Sequence, residues 1–599
     1  MIMSNDNLHA MRHTAAHVLA AAAERLYPGV KLGVGPVIDN GFFYDIAFPE
    51  PISEANLAKL EKTMRRIIAE AHAMEREEMS IDEAIAFFAD KGQEFKVELL
   101  KDLKEKGTTK MNPDEAQDID VENPDRASVY KTGEFVDLCR GPHIENVKGI
   151  GAFKLWKLAG AYWRGNEENA QLQRVYGLCF ETQEELDAYM HMLEEAKKRD
   201  HRKLGKELDL FVFSELVGPG LPLWTPKGAF LRQKLDDFVW ALRSVRGYKR
   251  VEIPHITKKD LYETSGHWEK FKDDLFKVET REGHVFAMKP MNCPHHTQIF
   301  DRKMHSYRDM PQRFANTTMV YRDEQTGELH GLSRVRSITQ DDAHVFCRQG
   351  QVKEEMLKIW DIIETFYKGC GFGELAVRLS FHDPEHPEKY LGTPEIWQQS
   401  EDALRDLAKA RGVEAVEEPG EAAFYGPKID FVTKDSLGRE WQVATIQLDM
   451  NMPERFDLTC INEEGSPERI VMIHAAIMGS LERFLSNYIE HTAGVFPFWL
   501  APVQVRLATV SQEQVEAASR IQAELVEAGV RAELDDSDER LGKKIRNAAM
   551  EKIPWTIVIG GKEAEGGDFK VNVFGQEEDL VISADELVAR AAADSKFPM

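Results

Sequence analysis

The sequence predicts a multidomain α+β protein, with an N-terminal α+β domain, a central domain on an antiparallel sheet, and a C-terminal α/β domain. Three observations carry this. A chain of 599 residues exceeds what one hydrophobic core organises and requires roughly 3–4 domains. Between Phe211 and Trp499, long helical stretches alternate with period-2 strands such as "YKRVEIP", "TTMVYRDE", "KIDFVTKD" and "EWQVATIQLD". The turn residues between neighbouring strands favour antiparallel over doubly wound parallel pairing. The last hundred residues change pattern: "PVQVRLATV", helix, "VRAELDD", helix and "PWTIVIGG" read as a small α/β domain with a parallel sheet.

In chain order, His9 to Tyr27 has helical spacing and "GFFYDIAF", Gly41 to Phe48, reads as a strand. Ser53, with Asn56 three residues later, predicts an N-cap ahead of an amphipathic helix. Glu184 to Leu204 is charged and helical without strand signal, as a connector would be. The expected division is residues 1–183, a linker helix over 184–204, then 205–498 and 499–599. Neither an internal repeat nor a low-complexity segment stands out.

The composition, 43% hydrophobic and 30% charged, is that of a globular protein. No apolar run reaches the ~18–20 residues that cross a bilayer, and "MIMSNDNLHAMRH" lacks the layout of a signal peptide. A cytoplasmic protein without a membrane partner is expected. The net charge of −26 weighs against a nucleic-acid partner for the chain as a whole. Locally, "KKRDHRKLGK", Lys197 to Lys206, is either a basic contact patch or a solvated helix face. The six cysteines contain no CxxC pair, which argues against a disulfide framework and a compact zinc knuckle. A metal site must draw on distant segments.

Several segments carry chemistry. "KPMNCPHHTQ" sets Cys293, His295 and His296 within four positions. "YRDE" places Arg322 at a strand end before a polar loop, where a guanidinium fork suits a phosphate or equally a surface salt bridge. "IMGSLERF" opens a helix and offers Arg483 to a flat ring or a phosphate. With the turn–helix–strand run Gly218 to Pro254, these segments resemble the three signature motifs of class II aminoacyl-tRNA synthetases. "MNCPHH", "YRDEQTGELHGLSRVR", "TQDDAHVFC", "FYGPKIDF", "WQVATIQLDMNMPERF" and "VMIHAAIMGSLERF" resemble the threonyl-tRNA synthetase family in particular, over nearly the whole chain.

That resemblance implies an antiparallel catalytic sheet of six to seven strands, a homodimer built across the first motif, activation of L-threonine with ATP and Mg2+, and transfer to tRNA(Thr). It also implies that Cys293, His344 and His474 hold one Zn2+ per subunit, with His295 and His296 as neighbours. One thiolate and two imidazoles with an open position form a catalytic-type zinc set. A metal that requires a hydroxyl ligand rejects valine, which is nearly isosteric with threonine, far better than an apolar pocket can. By the same resemblance Arg322 clamps the α-phosphate, Glu324 contacts ATP, and Arg334 and Arg483 serve phosphate and adenine. Gln340 and Asp342 lie near the substrate, Asp342 receiving its ammonium group, and Tyr425, Lys428, Gln442 and Gln447 line the pocket.

Serine differs from threonine by one methyl, worth only about 1–3 kcal/mol of selectivity, so a second, hydrolytic site is expected. "HTAAH" puts His13 and His17 one helical turn apart, and "CRGPH" supplies Cys139 and His143. From chemistry alone these four make a zinc site or a hydrolytic one. They resemble the editing domain of bacterial-type threonyl-tRNA synthetases, which implies hydrolysis of seryl-tRNA without an obligatory metal. Tyr44, Lys96 and Asp137 match the same pocket.

The sequence also departs from the family. By the resemblance, the sequence is expected to open directly on an editing-type segment, where many members first carry a ubiquitin-like module. Ser337-Ile338 stands where a Gly-Phe pair is usual, removing an aromatic face for adenine. The C-terminal segment resembles an anticodon-binding domain, implying contacts from Asp538, Lys552, Glu563 and Asn572. Residues 501–599 hold 12 Lys+Arg against 19 Asp+Glu, a net −7, which is poor for steering tRNA. A paralogue of altered role and a non-catalytic RNA-binding regulator stand as alternative readings.

Overall fold

The computed structural model describes residues 5–106, 125–166 and 168–599. The chain packs as two compact units, Met1–Glu194 and Glu195–Met599. The division falls inside the helix Gln183–Arg199, and the expected single connector is two helices. Asp200 interrupts it and caps the second helix, His201–Glu207, by accepting the Arg202 N–H at 2.8 Å.

In the first unit the helix Asn5–Leu26 is rich in alanine and buried along most of its length, from Ala15 to Ala23. It packs on an antiparallel sheet ordered Lys31–Leu32, Gly41–Ala47, Gln171–Phe180, Ala152–Tyr162, with Val37–Ile38 paired to Gly41–Ala47. Ser53 caps a short 3-10 turn, and the helix Leu57–Glu70 follows, its stripe Leu57, Leu60, Met64 and Ile67 entering the same core. A second sheet joins Glu75–Ser80, Arg126–Thr132 and Phe135–Leu138. Its last strand delivers the segment that carries Cys139 and His143.

The second unit is built on an eight-stranded sheet, one or two strands more than expected. Its order is Lys249–Arg250, Gln312–Tyr321, Ser337–Cys347, Val471–Ser480, Glu440–Asp449, Lys428–Lys434, Ala376–Phe381, Ala415–Pro419. The six inner strands pair antiparallel, whereas both edge strands pair parallel. A parallel neighbour requires a crossover. The helix Pro394–Arg411 provides one between Ala376–Phe381 and Ala415–Pro419. The helices Pro226–Ser244, Val352–Gly369 and Leu481–His491 bury one face of the sheet in a core that includes Leu235, Phe238, Ile359, Ile363, Phe366 and Phe484, leaving the other face for chemistry.

The C-terminal sheet is mixed rather than parallel. Val505–Thr509, Ala532–Asp535 and Trp555–Ile559 are parallel, and Phe569–Val573, reached through the short helix Gly561–Ala564, and Leu580–Ile582 add an antiparallel edge.

Candidate active and editing sites

Strand register assembles the open face of the large sheet. His344, His474, Gln447 and Lys428 are successive partners across four adjacent strands, and Asp342, Ala476, Thr445 and Asp430 form the next row on the same face. Period-2 alternation separates the two aspartates of "TQDDAH". Gln340, Asp342 and His344 face the site, while Asp341 turns into the core and accepts the N–H groups of Ile477, Met478 and Gly479 at 2.9, 3.0 and 2.9 Å. These three amides belong to a bulge that needs the positive φ of Gly479, +70°. A second bulge, between Phe431 and Val432 in the pairing, inverts Gln442 relative to Ala444. Gln442 Nε2 thereby reaches Asp430 at 2.6 Å, beside Lys428 Nζ at 2.7 Å from the same carboxylate.

Cys293, His344 and His474 are all buried, and one donor atom from each lies within 4.8 Å of the others. Cys293 opens the helix Cys293–Asp301. Burial, reinforced by Asp342 and Asp449, holds its thiol protonated well beyond the ordinary range, so a metal would have to displace that proton. His474 Nε2 donates to Asp449 Oδ2 at 2.9 Å, which leaves Nδ1 as a lone pair 3.1 Å from His344 Nε2. The Tyr425 ring lies against His474, centroids 5.0 Å apart, and its hydroxyl donates to Gln447. A soft thiolate and two orientable imidazoles, converging from three segments, fit zinc.

The phosphate-type residues sit around this row. Among the described residues, Arg322 Nε is buried without a hydrogen bond and Nη2 meets the Met291 sulfur at 3.5 Å, with the guanidinium over the Phe271 ring, so its donors can take an anion. Arg334 is tied to Glu324 at 2.7 Å and Glu328 at 2.8 Å. Arg483 is exposed on the first turn of Leu481–His491, whose N-cap Ser480 accepts its N–H at 3.1 Å. Asn292 Nδ2 donates to Asp342 at 3.1 Å. Asn292, Asp449 and the buried Lys289, whose Nζ donates to Thr318 at 2.9 Å, escape sequence reasoning although two lie in the "KPMNCPHH" block. Burial pushes the Lys289 ammonium down to about 8, partly offset by Asp342.

The loop between Arg322 and Ser337 is seated on the connector. Leu332 N–H donates to His201 Nε2 at 3.0 Å, so Nδ1 carries the proton and donates to Glu490 at 2.7 Å. Asp200, His201 and Glu490 have metal-like composition, yet both ring nitrogens are spoken for and the group acts as a strut. A β-carbon on Gly331, φ +50°, would stand 2.2 Å from His201 Nε2, so a glycine is needed for the loop to come this close to the imidazole.

In the first unit His13, His17, Cys139 and His143 also converge within 4.8 Å. His13 Nδ1 faces the Pro142 carbonyl at 3.2 Å and must donate to it. The Thr14 hydroxyl donates to Ala10 O at 2.8 Å, so His143 Nδ1, 3.1 Å away, donates to Thr14. Both Nε2 lone pairs therefore point at Cys139 Sγ, 3.3 and 3.2 Å away. One S–H proton cannot satisfy both, which leaves an imidazole lone pair for a water or a substrate. Burial pushes the Cys139 thiol up to about 12 and holds His13, His17 and His143 below the usual imidazole range. Gly141, φ +84°, makes the turn, since a β-carbon would meet the Tyr130 hydroxyl at 2.4 Å.

Behind the cluster lies a charged wall. Asp137 accepts from Lys96 at 2.6 Å and from the Tyr44 hydroxyl at 2.5 Å, and His17 Nδ1 stands 3.5 Å away. Lys96 and Asp137 are almost wholly buried, and removing one partner of such a pair strands the other charge. Lys96→Met is expected to destabilise the first unit by about 3–5 kcal/mol in denaturant unfolding; a loss under about 1 kcal/mol, the value of an exposed pair, would contradict this.

In the C-terminal sheet Asp538 and Glu563 follow the carboxyl ends of Ala532–Asp535 and Trp555–Ile559, the ligand-binding edge of α/β sheets. Asp538 accepts from Gln512 at 3.0 Å, and Glu563 from its own Gly560 N–H at 3.0 Å. Asn572, exposed and paired with Thr556, donates to Asp579 at 3.3 Å. Lys552 does not join them. It precedes Trp555–Ile559 at the opposite end, and its ammonium donates to the Ala493 carbonyl.

Three segments of the chain match known protein families. Residues 127–176 match the family described as "Threonyl and Alanyl tRNA synthetase second additional domain". Residues 276–492 match "tRNA synthetase class II core domain (G, H, P, S and T)", and 504–593 match "Anticodon binding domain". The chain is 47% identical over 575 residues to the threonine–tRNA ligase of Porphyromonas gingivalis, covering 95% of this chain and 85% of that protein. It is 46% identical over 594 residues to the enzyme of Gloeobacter violaceus, covering 98% and 92%. Among solved structures, the RNA binding domain of threonyl-tRNA synthetase from Cryptosporidium parvum Iowa II matches with a TM-score of 0.64 at 37% identity, over 67% of this chain and 99% of that one. The prolyl-tRNA synthetase of Giardia lamblia, at 17% identity and a TM-score of 0.53, shares the fold over 66% of this chain and 81% of that one. Identity at this level over nearly the full length, together with a class II core and an editing-type domain, places the chain in the threonine–tRNA ligase family.

Proposed function

We propose that this threonine–tRNA ligase selects its amino acid at a zinc site made by Cys293, His344 and His474, and clears mischarged seryl-tRNA(Thr) at the His13, His17, Cys139 and His143 cluster. The observation that carries the first part is the row His344–His474–Gln447–Lys428, which sets two imidazoles beside amide and ammonium groups on one open sheet face. Bound there, zinc would supply a Lewis-acidic position that takes a hydroxyl. Asp342, held by Asn292, receives the α-ammonium group, and Gln340, Tyr425, Lys428, Gln442 and Gln447 shape the pocket. Arg322 grips the α-phosphate, Glu324, Arg334 and Arg483 orient ATP with its Mg2+, and attack of the carboxylate then needs mainly positioning and charge neutralisation. Ile338 offers adenine apolar contact without a π face.

At the editing cluster the imidazole lone pair left over beside Cys139 orients water onto the ester, with Tyr44, Lys96 and Asp137 holding His17. Asp538, Glu563 and Asn572 face the anticodon, while Lys552 seats the domain. We further infer a homodimer in the cytoplasm. The test is ATP–pyrophosphate exchange with threonine, serine and valine alongside metal analysis. The expectation is one zinc per chain, exchange with threonine and serine, and valine about 10^4-fold less efficient, as for a site that must bind a hydroxyl. Valine within tenfold of threonine would overturn the assignment.

A further inference from the structure

A histidine can ligate through one nitrogen only if its proton sits on the other. His344 presents Nε2 to its companions, 3.1 Å from His474 Nδ1 and 3.6 Å from Asp342 Oδ1. Its Nδ1 lies 2.7 Å from His296 Nδ1, with the rings nearly perpendicular, 86° apart. The ligating state of His344 therefore requires a lone pair on His296 Nδ1 to receive the His344 proton.

We propose that His296 is a positioning residue for the metal, fixing the tautomer and ring plane of His344 as Asp449 does for His474. This rests on reading Cys293, His344 and His474 as a metal site. Three features carry it. His296 is fully buried, so water does not compete for the contact. Its Nε2 makes no hydrogen bond among the described residues, so the contact to His344 is the ring's one polar interaction. It also stands one helical turn after Cys293 on Cys293–Asp301, so a single helix supplies one ligand and the support of another. Since the acceptor is a neutral ring and not a carboxylate, His344 is the less basic of the two imidazole ligands.

The test measures zinc affinity by competition with a chromophoric chelator, and the visible spectrum of the cobalt-substituted protein. It compares wild type, His296→Leu, His296→Phe and His296→Asn, with unfolding of each metal-free protein as a control. Loss of the acceptor is expected to weaken zinc binding about 10–100-fold. His296→Asn, whose Oδ1 accepts at the same position, should restore it to within about threefold. Should the Leu variant not fold, the Phe variant, which keeps a ring without an acceptor, carries the comparison. Affinity and spectrum unchanged in Leu and Phe, or Asn as weak as Leu, overturn the inference. Cys293→Ala separates the two levels: if it binds zinc as tightly as wild type, the metal reading itself has failed.

Discussion

Cys293→Ala is expected to remove tightly bound metal and lower the kcat/KM of threonine activation on the order of 10^3-fold, the equivalent of several kcal/mol of Lewis-acid stabilisation. The donor set explains why the loss is not graded. With the thiol gone, two imidazoles of the set remain, one short of the three protein ligands that a catalytic-type zinc site uses. Overall folding should survive, because Cys293 belongs to a satellite core with Phe300, Phe314 and Met472 rather than to the main core. Steady-state exchange, metal content and thermal unfolding read these separately. Near-normal threonine activation in a metal-free variant would show that the hydroxyl is recognised by other means.

His17→Ala is expected to lower hydrolysis of seryl-tRNA(Thr) about 10^2–10^4-fold, the range for a lost proton-transfer or water-orienting group, while threonine activation stays within twofold. His17 is buried between Asp137 and the other imidazoles, so alanine there removes a ring from the centre of the cluster. The pH dependence follows from the shifts. Burial lowers the three imidazoles, which are neutral above their ordinary range, and raises Cys139 to about 12, so the thiol stays protonated. No cluster member changes charge between pH 6.5 and 8.5. Corrected for spontaneous ester loss, the hydrolytic rate should be flat over that window. An inflection near either edge would mean that an imidazole or the thiol titrates normally.

How far the sequence discloses this site depends on whether local or long-range order decides. Alternation alone separates Asp342 from Asp341, because both lie on one regular strand. The same alternation misplaces Gln442, which it would send into the core with Ala444; a bulge opposite Phe431 and Val432 decides its direction, and nothing local announces it. The edge strands are illegible for a similar reason: parallel pairing of Lys249–Arg250 and Ala415–Pro419 depends on crossovers, not on residue pattern. Lys552 has the charge suited to RNA, but its left-handed backbone, φ +54°, turns it onto Ala493. His201 carries no motif signal, since its role lies in the partners it meets 131 and 289 residues away.

The wide spacing of Cys293, His344 and His474 has a consequence for biogenesis. Their strands and helix meet only after the central hairpins have closed across nearly two hundred residues, and such non-local contacts form late. An ion therefore cannot template this domain as it does a zinc finger, whose ligands are near neighbours in the chain. During synthesis the editing unit emerges and can compact first. The proposed zinc set would then be complete only after the central sheet has closed, later than the first unit, whose cluster His13, His17, Cys139 and His143 spans a shorter stretch of chain.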